Sequence, residues 1–192
     1  MKRWAINHRV MIVAASLLGT ALPTLDAFAG GDDMTDRDRA IEAVASFGGE
    51  LKQALTGAMS SSGPVAAIDV CKTQAPAIAA RVSAHTGLRV GRTSARTRNP
   101  GNSASTWQAA VLSHWEEQRA DGADLTNVDY FEQLPDGGFR YMKPILAQPL
   151  CLTCHGAALP PDVEAALTES YPEDQATGYS AGDLRGAFVV ER

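Results

Sequence analysis

The sequence has 192 residues, of which 45% are hydrophobic, and its formal net charge at pH 7 is −5. This length fits one domain with a substantial hydrophobic core. The acidic balance excludes a general electrostatic affinity for nucleic acid or for an anionic membrane surface, so we expect neither as a partner.

The first 29 residues have the pattern of a secretory signal peptide. A positively charged start, MKR, precedes an apolar stretch at residues 10–22 and the A-x-A cleavage site Ala27-Phe28-Ala29. The apolar stretch is shorter than the roughly 20 residues that cross a bilayer, so no stable membrane insertion is expected after cleavage. We therefore predict an exported, periplasmic bacterial protein whose mature domain spans residues 30–192.

Apolar residues at helical spacing predict three helices in the first part of the chain. Their ranges are about 35–60, 64–86 and 105–120. Pro64 suits the first turn of the second helix, whereas Pro76 lies inside that helix and should interrupt or restart it.

Cys71 lies on the apolar stripe of the second predicted helix, about one turn before Pro76. Free cysteine is among the most buried residue types, so this spacing by itself is typical of a packing residue. The alternative role, as a metal ligand, depends on what the rest of the chain provides.

Turn signals and alternating apolar residues predict four strands, at residues 88–94, 130–134, 139–146 and 186–190. The turn sequence PDGG joins the second and third of these strands into a hairpin. Pro144 implies that the third strand lies at a sheet edge or is distorted near its end. A short helix is expected at residues 160–170.

The segment Cys151-Leu152-Thr153-Cys154-His155 matches C-x-x-C-H, the attachment signature of a c-type haem. The two cysteines can each add across one vinyl group of the same porphyrin, and the histidine can bind the iron. A zinc site would usually need a second, separated pair of ligands, and none follows in the sequence. We predict one haem c per chain, attached covalently to Cys151 and Cys154, with His155 as an axial ligand.

The second axial position has three candidates in the sequence. The motif uses two of the three cysteines, which leaves Cys71 without a disulfide partner in an oxidising compartment. His114 lies on the predicted apolar face of the third helix, and Met142 lies in a predicted strand. Histidine and methionine at such positions are more often core residues than ligands.

Arginines crowd the region around the first predicted strand, although the chain as a whole is acidic. Arg92, Arg96 and Arg98 are candidates for bidentate contacts with the two haem propionates, because a guanidinium matches the geometry of a carboxylate. The alternative, a solvated loop face, stays equally open at this point.

Six short segments spread over the mature chain form a specific combination. They are IDVC with a following AP (68–76), RTS with RNPGN (92–102), YMKPI (141–145), the C-x-x-C-H motif, YPEDQATGY (171–179) and GDLRGA (182–187). In their order and content these segments resemble the single-haem c-type family with a PAS-like fold. Members of that family occur as stand-alone exported proteins or as extracytoplasmic sensors of kinases and chemoreceptors.

The resemblance implies an α+β fold in which helices flank a PAS-like antiparallel sheet and one covalently bound haem lies against the sheet. It also implies an unusual axial pair, with His155 on one side of the iron and Cys71 on the other. Such a role would explain why Cys71 has no disulfide partner.

These inferences predict a periplasmic redox or small-gas sensor that signals to an unidentified periplasmic protein. Release of Cys71 would open a site for a gas such as CO or NO. The alternative is an electron-transfer cytochrome c that passes electrons to a redox partner without any change of ligand. With both axial positions filled there is no open position for a substrate, so an enzyme is not predicted.

Overall fold

A computed structural model gives the structure of residues 34–192, and the predicted signal peptide lies outside the described residues. The chain has an α+β fold in which helices cover a four-stranded antiparallel sheet. The helices are α1 (Asp36–Asp69), α2 (Ala75–Thr86), α3 (Thr106–Ala120), α4 (Leu152–His155) and α5 (Pro161–Ser170), and the strands are β1 (Arg89–Thr93), β2 (Tyr130–Gln133), β3 (Phe139–Leu146) and β4 (Leu184–Glu191). Within residues 34–192, no helix is long and apolar enough to cross a membrane.

The sheet has the strand order β1-β4-β3-β2, and every neighbouring pair is antiparallel. Strands β2 and β3 form the predicted hairpin, but β2 is short and pairs no further along β3 than Met142. Within the described residues, Pro144 therefore has no partner strand on the side of β3 where β2 pairs. On the other side of β3, the register against β4 shifts between Ile145 and Leu146. Both observations confirm the prediction of an edge or a distortion at Pro144.

Two hydrophobic clusters cover the two faces of the sheet. On one face, α1 and α2 pack against β1, β3 and β4 around Phe47, Tyr141 and Val190. On the other face, α3 packs Leu112 and Trp115 against the rest of the sheet. A third cluster joins the carboxyl-terminal part of α1 to α5.

Helix α1 is longer than predicted and contains a kink. Thr35 caps its start, and the Thr35 side chain forms a capping box with Asp38. The helix continues through residues 61–63, between the first two predicted helices, but Gly63 has φ +79° and ψ −179°, a combination that essentially only glycine adopts. Pro64 then opens the second part of the helix, as its missing N–H allows.

A π-helical turn, Val70–Gln74, separates α1 from α2 and contains Cys71. Helix α2 then restarts at Ala75 with Pro76 in its first turn, where proline has no hydrogen bond to lose. The predicted interruption at Pro76 is confirmed. The wider turn that absorbs the interruption is of a type found frequently at functional sites.

Candidate functional site

The C-x-x-C-H motif folds into a tight local unit. A 3-10 turn at Pro149–Cys151 leads into the single turn of α4, which ends at His155. The Gly156 N–H donates to the Leu152 carbonyl at 2.9 Å, and a Cβ on Gly156 would lie only 2.6 Å from the same oxygen. Glycine is therefore needed directly after His155 for the backbone to close this turn.

A backbone carbonyl holds the His155 ring in one orientation. The distance from His155 Nδ1 to the Ala176 oxygen is 2.6 Å, while the Nε of Arg185 lies 3.3 Å from the same Nδ1. A carbonyl can only accept, and the contact to Ala176 is much the shorter one, so we assign the hydrogen to Nδ1. This tautomer leaves the lone pair of Nε2 free, as a metal-binding histidine requires.

The surroundings of His155 keep its imidazole neutral. Burial lowers the pKa of His155 to about 2, and the positive charges of Arg185 and Arg98 act in the same direction. The hydrogen bond to Ala176 opposes these effects but does not outweigh them. At neutral pH the ring is therefore uncharged and can act as a ligand through Nε2.

A buried ion pair lies directly behind the motif. Arg98 Nε donates to Asp174 Oδ2 at 3.0 Å, and the two side chains are only 7% and 12% exposed. Arg98 Nη2 donates to the backbone carbonyl of Cys154 and, at 3.3 Å, to that of Ala176. Asp174 Oδ1 accepts the Ala176 N–H at 2.8 Å. The pair thus links the motif to the segment that orients His155.

The packing between α1 and α5 brings Cys71 close to the motif, about eighty residues further along the chain. Ile68, one turn before Cys71, packs with Val163, Leu167 and Tyr171, and Cys154 packs against the same cluster. The pKa of Cys154 is raised mainly by burial, and Cys71 adds to this effect. Tyr171 is affected in the same way, with burial and Cys71 raising its pKa to about 12. The structure therefore places Cys71, Cys154 and His155 in one region.

The three predicted propionate contacts have different surroundings. Arg92 lies on β1 with its guanidinium 5.9 Å from the centre of the Phe47 ring, and burial lowers its pKa while Cys71 and Tyr171 partly offset this. Arg96 is exposed, lies 3.8 Å over the Tyr179 ring and donates to the Thr177 carbonyl. Arg98 forms the buried pair described above. Their contacts with propionates stay a prediction, and Arg92 has the surroundings that best suit it.

The two alternative axial ligands lie elsewhere. His114 is exposed on α3, where Leu112 and Trp115 form the buried face, so its assignment to the apolar face was wrong. Met142 is fully buried in the cluster beneath α3, together with Val189. Neither residue belongs to the cluster that joins the segment of Cys71 to Cys154.

Several residues of this site were given no individual role in the sequence interpretation, although they lie in two of the segments that carry the family resemblance. Asp174, Ala176 and Arg185 all contact His155 or its immediate support. Arg185 carried a usable signal, because a charge inside an apolar strand needs a partner. Ala176 carried none, since its contribution is a backbone carbonyl that any residue could supply.

Comparison with known proteins places the chain in a family. The sequence matches the family model described as Tll0287-like, Tll0287, over residues 22–192. The chain belongs to the Tll0287-like family. This confirms the resemblance found from the sequence segments.

One solved structure similar to this member of the Tll0287-like family is the crystal structure of the cyanobacterial heme-protein Tll0287. The two chains are 24% identical and superpose with a TM-score of 0.59, over 82% of this chain and 95% of that chain. The likeness supports the α+β fold. None of the curated proteins matches the sequence significantly.

Proposed function

We propose that this chain is an exported, periplasmic sensor that binds one haem c through Cys151 and Cys154, with His155 and Cys71 as axial ligands. The observation that carries the proposal is the position of His155 at the end of the C-x-x-C-H turn. Its Nδ1 lies 2.6 Å from the Ala176 carbonyl oxygen, and this hydrogen bond orients the ring. The family membership and the heme-protein named among its relatives support the same cofactor.

The residues present fit the chemistry of a covalently attached haem. Cys71, Cys151 and Cys154 are all free thiols, and all three are partly buried. His155 is neutral and has a free Nε2 lone pair. Arg92 is partly buried on the sheet face that carries Val90, and burial lowers its pKa, so a carboxylate partner would stabilise its charge. The antiparallel sheet with helices on both faces agrees with the PAS-like arrangement that we propose.

A bound haem would supply one-electron chemistry and, when an axial position opens, a site for a diatomic gas. The role of His155 would be to stay in place, because its ring and backbone are held from several directions. Cys71 would act differently, because its thiolate favours the ferric state and its protonation favours release of the sulfur. The freed position would be open to CO or NO, and the movement of Cys71 would be the signal.

The proposal includes a periplasmic partner protein that receives the signal, and no enzymatic activity. Cys71 and His155 would fill both axial positions in the resting protein, which leaves no coordination position for a substrate. The alternative function is that of an electron carrier, which would pass electrons to a redox partner without exchange of Cys71.

The coordination by Cys71 can be tested by the substitution Cys71→Ala in the purified holoprotein. We expect a changed ferric absorption spectrum and a higher reduction potential, because removal of a thiolate ligand destabilises the ferric state. Thr73→Ala is the matched control, since Thr73 lies exposed in the same π-helical turn. An unchanged ferric spectrum and potential in Cys71→Ala would remove Cys71 from the site.

A further inference from the structure

The buried ion pair of Arg98 and Asp174 has a geometry that goes beyond holding two loops together. Asp174 spans two partners, with Oδ2 on Arg98 and Oδ1 on the Ala176 N–H. Arg98 in turn reaches the carbonyls of Cys154 and Ala176. His155 completes this network, because its Nδ1–H donates to the same Ala176 carbonyl.

The Ala176 carbonyl is therefore shared by two donors of different charge. His155 Nδ1 lies 2.6 Å from this oxygen and Arg98 Nη2 lies 3.3 Å from it. A cation that hydrogen-bonds to a carbonyl makes that oxygen a weaker acceptor for its other donor. The hydrogen bond from Nδ1 to such an acceptor sets how basic the opposite nitrogen, Nε2, is as a ligand.

We propose that the Arg98–Asp174 pair tunes His155 as an iron ligand through the Ala176 carbonyl. This inference rests on the proposed haem site, and it assigns the pair a role that the sequence analysis did not give it. Arg98 and Asp174 are positioning residues, because their hydrogen bonds reach His155 only through the Ala176 backbone and their charges act on the iron site through space.

Arg98 and Asp174 shift the reduction potential in opposite directions. The positive charge of Arg98 disfavours the more positive ferric state and weakens the acceptor of His155, and both effects raise the reduction potential. Asp174 neutralises that charge and thus lowers the potential. Loss of Arg98 should favour the ferric state, whereas loss of the Asp174 charge should favour the ferrous state. A pair that merely holds the fold would give no such reversal of sign.

The test is the reduction potential of the purified holoprotein in Arg98→Gln, Asp174→Asn and Arg98→Lys. We expect Arg98→Gln to shift the ferrous-to-ferric ratio at a fixed applied potential about tenfold toward ferric, which corresponds to ~59 mV for a one-electron couple. Asp174→Asn should shift the ratio toward ferrous by a similar factor. Arg98→Lys keeps the charge and should restore most of the wild-type value.

Matched controls come from the Arg192–Asp36 pair at the far end of β4, in which Arg192 is exposed and Asp36 is partly buried. Arg192 is seven residues from Arg185, about 23 Å along an extended strand. Because this exceeds the Debye length of about 10 Å at 0.1 M salt, Arg192→Gln and Asp36→Asn should leave the potential unchanged.

Opposite shifts in Arg98→Gln and Asp174→Asn would support the proposal, and a retained ferric spectrum would show that His155 is still bound. Shifts of the same sign, or shifts no larger than those of the Arg192 and Asp36 controls, would overturn it. If Arg98→Gln does not accumulate as holoprotein, Asp174→Asn decides alone: a higher potential supports the proposal and an unchanged or lower one overturns it. Failure of the haem proposal itself is distinguishable, because the wild-type protein would then carry no covalent haem.

Discussion

The two proposed axial ligands differ in how firmly the chain holds them. His155 ends a closed helical turn, and its ring donates to Ala176, which the buried Arg98–Asp174 pair supports. Cys71 lies in a π-helical turn between the kink at Gly63 and the restart of the helix at Ala75. Such a turn interrupts the regular hydrogen bonding of an α-helix and is frequent at functional sites. The contrast suits a site in which one ligand is fixed and the other can be exchanged.

The largest expected effect tests whether the motif is an attachment site at all. Replacing both motif cysteines, Cys151→Ala with Cys154→Ala, should abolish covalent haem, because no thiol then remains at C-x-x-C-H to add to the porphyrin. The measurement is haem retained by the denatured chain on a gel. Thr153→Ala, between the two cysteines, is the control and should retain it. Covalent haem in the double variant would contradict the site.

The support that the Arg98–Asp174 pair gives to His155 can be removed by substitution of Arg98. Arg98→Ala should lower the free energy of unfolding by about 3 kcal/mol, because it leaves Asp174 buried without its counter-ion. Urea denaturation of the holoprotein measures this change. Arg192→Ala removes an exposed partner of Asp36 and should cost at most about 1 kcal/mol. Equal losses in the two variants would show that the buried pair gives the His155 side no special support.

The kink that precedes Cys71 can be tested with two glycines of the same helix. Gly63→Ala should destabilise the protein by about 2 kcal/mol, because alanine is strained at φ +79°. Gly57→Ala, six residues earlier, has open space around a new Cβ and no unusual φ. It should stabilise the helix by up to about 1 kcal/mol. Thermal unfolding of both variants measures the difference, and a neutral Gly63→Ala would show that the kink is not required.

A smaller effect concerns Tyr171, which packs in the cluster with Ile68 and Cys154. Its pKa is raised from 10 in a free tyrosine to about 12 in the fold, so the folded state favours the protonated form. The resulting stability is complete below pH 10 and is lost as the pH rises toward 12. Between pH 8 and pH 11 the free energy of unfolding should fall by about 1 kcal/mol less in Tyr171→Phe than in the wild type. Urea denaturation at both pH values measures this, and identical pH dependence would contradict the assignment.

The sequence predicted the fold well where the signal was local. Pro64, Pro76 and Pro144 each marked a real irregularity, because proline lacks an N–H wherever it occurs. The motif and the unpaired Cys71 were likewise visible as residue types and spacings. Strand β4 was predicted two residues too short at its start, since Gly186 suggested a boundary that strand pairing overrides.

The support of His155 could not be predicted in the same way. Arg98 and Asp174 are 76 residues apart, and the sequence offered Arg98 a propionate as its partner rather than a carboxylate of the chain. Their pairing depends on the tertiary fold that brings the two loops together. The π-turn was equally hidden, because Pro76 predicts an interruption but does not say how the backbone absorbs it. The local motif therefore predicted His155 as a ligand and the family resemblance predicted Cys71, and only the three-dimensional structure showed how differently the two residues are held.

The most direct test of this account is the absorption spectrum of the wild-type holoprotein in the ferric and ferrous states, each with and without CO. We expect a six-coordinate ferric spectrum with thiolate character, and a ferrous protein that takes up one CO per haem as Cys71 is displaced while His155 stays bound. Identical six-coordinate spectra in both oxidation states, with no uptake of CO, would contradict the exchange of Cys71 and would make this protein an electron carrier.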